Sequence, residues 1–347
     1  MTVIHIAAVG DILMWQRQIH AAKVAGQNKY SFDSMFQPVA PFLRRADLTI
    51  GNLETTLSGR ESTYQRRQPK TGWPMFNCPD ELAPALKRAG FDVLVTANNH
   101  CMDRGISGLR RTLGVLDKVG IKHTGTYRTY AESQQYLIKN VKGIRVGILS
   151  YTYGTNGNKV PADARYAVNY IHMGKIKTDL KRIKQKSDVV IVVYHFGQEF
   201  HRYPNARQKA LVKHAFQNGA DIVFGVHPHV LQPTTLQWVA QSHGNKKRKF
   251  AIYSLGNFIS DKMMSDPYSA SGVIMNLQLQ KQSNGTVTMQ KITGIPTWVH
   301  KIHTKSRVKF RVLPVRKYLK TPDGLLTKSD IRTMHTVNRN TSVHLKV

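Results

Sequence analysis

Disulfide chemistry has little to work with in this chain. Its 347 residues include two cysteines, Cys78 and Cys101. Two are too few for a disulfide framework, so two unpaired thiols are expected, with one structural bridge as the alternative. Acidic residues are also scarce: 20 Asp and Glu stand against 51 Lys and Arg, a formal net charge of +31. Like charges repel in the compact state, so this excess adds nothing to fold stability. It points outward, to a polyanionic partner or an anionic surface. Long apolar runs are missing too. The opening MTVIHIAAVGD does not start with Lys or Arg and meets a charge at Asp11 after a short apolar run. That is not the pattern of a secretory leader. No stretch reaches the roughly 18 apolar residues of a membrane span. The expectation is a soluble chain, cytoplasmic if this is its full length. Aromatic and basic residues do not interleave as they do in single-strand nucleic-acid binders, so a nucleic-acid or small phosphodiesterase ranks last among the functions considered.

What is present is an alternating pattern. Hydrophobic residues make up 41% of the chain, enough for a sizeable core. Short β-branched runs alternate with amphipathic segments, which predicts an α/β fold. Strands are expected over 3–9, 46–51, 91–96, 145–151, 188–195, 221–225 and 249–255. The run from Asp188 to Tyr194 is nearly all apolar, as in a strand covered on both faces. Helices are expected over 79–89, 106–119 and 205–218, each closed by a glycine. Two further strands flank Asn284-Gly285, a hairpin signal, and suggest a second, antiparallel sheet. From Lys301 onward Lys and Arg far outnumber Asp. The expected division is a main domain over 1–300 and a basic extension over 301–347, either a peripheral wrap or disordered.

Chemistry-bearing residues collect at the ends of the expected strands, where open α/β sheets bind ligands. They are Gly10-Asp11, Asn52 with Glu54, the cluster Asn98-Asn99-His100 with Asp103, His195, His227-Pro228-His229, and Gly256-Asn257. Taken singly, most can be turn or cap residues. His227 and His229 are two residues apart, and on extended backbone both imidazoles would point the same way. Neutral imidazole binds zinc, iron, nickel and copper. Carboxylates, an amide oxygen and several histidines from separate strand ends are how a two-metal hydrolytic centre is assembled. His100, oriented by Asp103, can carry a proton.

This ordered set, with Asp103-Arg104-Gly105, His195-Phe196-Gly197-Gln198-Glu199, Tyr151 to Gly157 and Tyr253 to Phe258, resembles the CapA family of poly-γ-glutamate capsule synthesis. That family is similar to the calcineurin-like metallophosphoesterases. The resemblance implies a metallophosphoesterase-like four-layer α/β/β/α sandwich with two mixed sheets. It implies divalent metal ions, two of them, drawn from Mn, Fe or Zn. Asp11 and His229 would hold one metal, Glu54 would bridge, and Asn99, His195 and His227 would complete the other. His100 and Asp103 would be the acid pair. Phosphoesterases usually carry Asp-x-His in the first motif, whereas Leu13 stands here, which leaves that metal short of a ligand unless Asn52 or Asn257 substitutes.

Substrate contacts are expected from Asn52, Asn98 and Asn257, and from the basic cluster Lys246, Lys247, Arg248 and Lys249. The implied partner is poly-γ-glutamate or another acidic polymer, in keeping with the charge, together with a membrane-bound capsule synthesis complex. The family usually works at the outer membrane face behind an anchor. Three functions follow in order: a CapA-type protein of polymer synthesis, export or retention, a non-enzymatic polyanion-binding scaffold, and the phosphodiesterase ranked last above.

Overall fold

The computed structural model of the chain describes residues 1–240, 246–261, 263–304 and 307–345. In chain order its strands are β1 (Thr2–Ile12), β2 (Leu48–Leu53), β3 (Gln65–Arg67), β4 (Pro74–Phe76), β5 (Val93–Val95), β6 (Lys122–Thr124), β7 (Leu137–Val141) and β8 (Ile144–Thr152). Then follow β9 (Val189–His195), β10 (Ile222–Val226), β11 (Leu231–Ala240), β12 (Lys246–Leu255), β13 (Asn257–Ile259), β14 (Ser271–Lys281), β15 (Val287–His303) and β16 (Val308–Pro314). The helices are α1 (Gln16–Ala22), α2 (Asp33–Phe36), α3 (Ala40–Leu43), α4 (Leu82–Ala89), α5 (Gly105–Lys118), α6 (Tyr130–Ser133), α7 (Met173–Lys184), α8 (Ala206–Gln217), α9 (Val315–Lys320) and α10 (Lys328–His344).

Two large mixed sheets stack face to face. The first runs β16-β15-β14-β1-β2-β5-β6, with β13 beside the end of β1, and the second runs β11-β12-β10-β9-β8-β7. The second sheet is parallel at its centre and antiparallel at both flanks, while the first is parallel from β1 through β2 and β5 to β6 and antiparallel from β1 through β14 and β15 to β16. Strand periodicity explains the layers. Ile4, Ile6 and Ala8 of β1 meet Ile191, Val193, Ile222 and Phe224 of the second sheet in one buried core. Ala7 and Val9 turn the other way, into a core shared with α1 to α4. In β9, Val190, Val192 and Tyr194 face α7 and α8. Helix, sheet, sheet and helix make the four-layer α/β/β/α sandwich, and β9 is apolar from Val189 to Val193 because both of its faces are covered.

Several expectations need correction. The Asn284-Gly285 hairpin forms no separate sheet. β14 pairs antiparallel with β1 from Thr2↔Lys281 to Ala8↔Met275, so the hairpin extends the first sheet across the free edge of β1. The boundary expected at 300 falls inside β15. That strand pairs with β16 from Thr297↔Pro314 to His303↔Val308. Phe310 and Val312 are buried, as are Met334 and Val337 of α10, so the basic C-terminal stretch is part of the core wherever its apolar residues fall on one face. Cys78 and Cys101 are free and buried. No helix among the described residues is long and apolar enough to cross a membrane.

Candidate metal centre

The strand register brings the polar residues to one level. Asp11 pairs with Asn52 on one side and Asn257 on the other, while Val226 pairs with His195. The two sheets touch at this end, because the backbone N–H of His227 donates to Asp11 Oδ2 at 3.2 Å. Close approach needs missing side chains. A Cβ on Gly10 would lie 1.8 Å from the Gly256 carbonyl oxygen, and one on Gly225 would lie 1.9 Å from that of Tyr253. Gly10 stands one residue before Asp11 and Gly225 two residues before His227.

Asp11, Glu54, Asn99, His195, His227 and His229 are all buried and converge. His195 Nε2 lies 2.8 Å from Asn99 Oδ1 and 3.4 Å from Glu54 Oε1. His229 Nδ1 lies 3.1 Å from Asp11 Oδ2, and its Nε2 lies 3.8 Å from Glu54 Oε1. Atoms that share one small cation stand about 3 Å apart, given metal–ligand bonds near 2 Å. Ligand atoms of Glu54, His227 and His229 lie within 4.8 Å of one another, and so do those of Asp11, Glu54 and His195. Glu54 belongs to both groups, the place of a bridge. Asp11 also lies beside His229, at 3.1 Å, so the ligand atoms form one continuous cluster around Glu54.

A divalent metal fits these residues on the structure's own terms. Both carboxylate oxygens of Glu54 and Nδ1 of His227 are buried without a hydrogen-bond partner. Among the described residues neither Asp11 nor Glu54 has a Lys or Arg in ion-pair contact. Buried negative charge without a counter-ion is costly, and a cation removes the cost. The ionisation follows. Burial pushes the Glu54 carboxyl well above the usual carboxylate range, and the nearby Asp11 carboxylate adds to the rise. Burial holds His195 and His227 well below the usual imidazole range, helped by neighbouring imidazoles, which leaves neutral rings with lone pairs to give. Burial also opposes charge on His229, but the Asp11 carboxylate outweighs it and the net shift is upward.

His227 and His229 do not reach the centre on extended backbone. β10 ends at Val226, and the two residues have φ of +98° and +58°. Both belong to a turn around Pro228, and the convergence comes from left-handed backbone. Asn52, Asn98 and Asn257 are buried braces with their amides already engaged. Asn52 Nδ2 donates to Asp11 Oδ1 at 2.8 Å, Asn98 Nδ2 to the Leu53 carbonyl at 2.7 Å, and Asn257 Oδ1 lies 3.0 Å from His229 Nδ1. Asn257 Nδ2 donates to the Ser269 carbonyl at 2.7 Å. These contacts orient ligands. Each of the three amides is thus engaged by a neighbouring protein group. Leu13 is buried.

The cluster Lys246 to Lys249 opens β12, whose far end at Leu255 leads into the site. Ten strand residues span about 33 Å, so the cluster lies at the other end of the sheet. Lys249 is 2% exposed and donates to the Phe216 carbonyl at 2.6 Å. Lys247 pairs with Asp221 at 2.7 Å. Lys249 is therefore closed to a polymer, while Lys246 is exposed.

His100 Nδ1 lies 2.7 Å from Asp103 Oδ2. Asp103 is held by the Phe76 N–H at 2.6 Å and the Asn158 amide at 3.2 Å. The outward Nε2 of His100 lies 3.5 Å from Asn156 Nδ2, and Asn99 Nδ2 donates to Asn156 Oδ1 at 3.3 Å. Tyr153 covers the histidines, its ring 4.7 Å from His227 and stacked 6.1 Å from His195. Sequence reasoning assigned no role to Tyr153, Asn156 or Asn158. The Asn156-Gly157 turn signal marks that loop, and Asn156 has φ of +51°.

A model of the bacterial capsule synthesis protein PGA_cap matches residues 5–262. The chain belongs to this family. Among relatives of this PGA_cap protein, the capsule biosynthesis protein CapA of Bacillus anthracis is 28% identical over 310 residues, covering 86% of this chain and 70% of that one. The PGA biosynthesis protein CapA of Bacillus subtilis (strain 168) is 28% identical over 341 residues, covering 94% and 82%. Among solved structures, Haemophilus influenzae NAD nucleotidase superposes with a TM-score of 0.53 at 13% identity, over 99% of this chain and 64% of its own. A Staphylococcus aureus protein named as a candidate 5′-nucleotidase, in complex with alpha-ketoglutarate, gives 0.51 at 15%, over 97% and 58%. The PGA_cap chain spans less than two thirds of either structure. At such identity the likeness shows the fold alone, which is the metallophosphoesterase and 5′-nucleotidase fold.

Proposed function

We propose that this PGA_cap protein acts in capsule biosynthesis on an acidic polymer, poly-γ-glutamate, through a dinuclear metal centre, alongside a membrane-bound capsule synthesis complex. The reading rests on Glu54, a carboxylate buried with both oxygens unpartnered between two groups of candidate ligands. Asp11, Glu54, Asn99, His195, His227 and His229 would hold the ions, which supply Lewis acidity and a nucleophile near neutral pH. Asp103, 2.7 Å from His100 Nδ1, would orient the ring, and His100 Nε2 would hand a proton to a leaving oxygen or nitrogen. The reaction class is hydrolysis of a phosphoester or an amide. Elemental analysis of the purified chain, joined to a screen of phosphodiester and γ-glutamyl substrates, tests it. His227→Ala and Glu54→Ala should each lose metal and activity together. A metal-free double variant with full activity overturns the reading.

A second reading, a polyanion-binding scaffold with a structural metal, draws on the +31 net charge and on Leu13 where phosphoesterases place a ligand. Polymer binding that survives chelation and weakens steeply with salt would favour it.

A further inference from the structure

Beside the candidate metal centre, and bordered by His100 and His229, lies a cavity of about 480 Å³. Its character is opposite to that of the chain. Four aromatic side chains wall it, Trp15, Trp73, Phe76 and Phe200, and its charged residues other than the histidines are Glu199 and Asp261. Among the described residues no Lys or Arg lines it, although Lys and Arg outnumber Asp and Glu 51 to 20 overall. The rings are held in place. Trp15 Nε1 donates to Ser260 Oγ at 3.0 Å, and Trp15 meets Phe76 edge-on at 4.9 Å. The Phe200 N–H donates to the Pro228 carbonyl at 2.8 Å, which ties Glu199 and Phe200 to the turn carrying His227 and His229. Phe200 takes a φ of +64° to do so. Trp73 stands at the rim, 48% exposed.

The two carboxylates differ. Asp261 is paired with Lys301 and, at 3.6 Å, with Arg17. The Glu199 carboxylate has no hydrogen-bond or ion-pair partner among the described residues. An unpaired carboxylate beside aromatic faces attracts cations, since the ring faces carry negative potential that strengthens as water is excluded.

We infer that this cavity binds an organic ammonium group, primary or quaternary, between the aromatic rings and Glu199. The inference rests on the metal-centre reading for its neighbour and extends it: the ligand reaching both places carries its cation in the cavity and its reacting group at the histidines.

The test is tryptophan fluorescence of the full chain titrated with choline and with its neutral isostere 3,3-dimethylbutan-1-ol, with metal and after chelation. Choline should bind about tenfold more tightly than the isostere. Glu199→Gln should bring the two within about twofold, and Trp73→Ala, at an exposed rim position, should weaken choline and spare metal content. Equal binding of the two ligands by the unaltered chain, or a choline preference untouched in Glu199→Gln or, should that variant not fold, in Trp73→Ala, overturns the inference. Glu54→Gln separates the two readings. It should lose metal and keep the choline preference, so an unaltered chain that carries no metal yet prefers choline would sink the proposed function alone.

Discussion

Glu54 Oε1 sits 3.4 Å from His195 Nε2, yet that imidazole nitrogen is committed to Asn99 Oδ1 at 2.8 Å, leaving the carboxylate unsatisfied. Glu54 has its pKa raised in the fold, first by burial and then by Asp11. For a raised carboxyl the metal-free folded state binds the extra proton, so stability falls as pH climbs above the unfolded value near 4.3. Glu54→Gln removes that charge. In EDTA at pH 7 the variant should be more stable than the unaltered chain by about 1–3 kcal/mol. With manganese added, the unaltered chain should gain in melting temperature and the variant should not. Thermal unfolding in both buffers checks the pair of outcomes.

His227 is held at φ of +98°, where a Cβ is strained. Glycine tolerates that backbone. After chelation, His227→Gly should therefore be no less stable than His227→Ala, and about 1 kcal/mol better where relief of strain exceeds the entropy of the unfolded glycine. Both should lose metal equally. Urea melts of the two variants in EDTA read the difference directly.

Gly10 and Gly225 allow the backbone crossings that precede Asp11 and His227. An alanine methyl at either place would collide with a carbonyl oxygen, at 1.8 Å or 1.9 Å. The colliding atoms are backbone and cannot rotate away. Gly10→Ala and Gly225→Ala should each cost about 3 kcal/mol. Gly285→Ala is the contrast, since open space surrounds a Cβ there, and it should cost much less despite φ of +82°. Denaturation midpoints for the three variants rank them.

Acid sensitivity should show at Asp188. Burial alone would raise its carboxyl, but Arg145 and Lys281 outweigh burial and hold it down to about 2. A depressed carboxyl stabilises the fold above the unfolded value near 3.9 and loses that contribution as pH falls toward 2. Asp188→Asn should lose about 2 kcal/mol at pH 7. Between pH 4 and 2 the gap to the unaltered chain should close. Guanidinium melts across that range measure it.

The parallel strands were legible because their physics is local. β9 reads as covered on both faces from one apolar run, and α8 announces itself by Asn205, which caps Gln208 N–H at 2.9 Å, and by Gly219 at its end. β16 was not legible. Its alternating Phe310 and Val312 lie within a strongly basic stretch, and charge masked a two-residue period. Lys249 misled for the same reason. It belongs to a basic cluster in sequence, but its strand position turns it inward beneath Phe216. Tyr153 and Glu199 gave no signal alone, because a tyrosine or a glutamate in a loop acquires meaning only from what stands across the space.

The sequence by itself determined the layered α/β pattern and the residue types placed at each strand end, since both follow from side-chain periodicity and short-range turn chemistry. The tertiary structure alone decided that Asp11, Glu54, Asn99, His195, His227 and His229 share one buried space, that Asn52, Asn98 and Asn257 brace them, and that the neighbouring cavity is aromatic and acidic. Those facts depend on strand register, on two left-handed histidines and on glycine crossings. Such long-range geometry is set by packing between segments far apart in the chain.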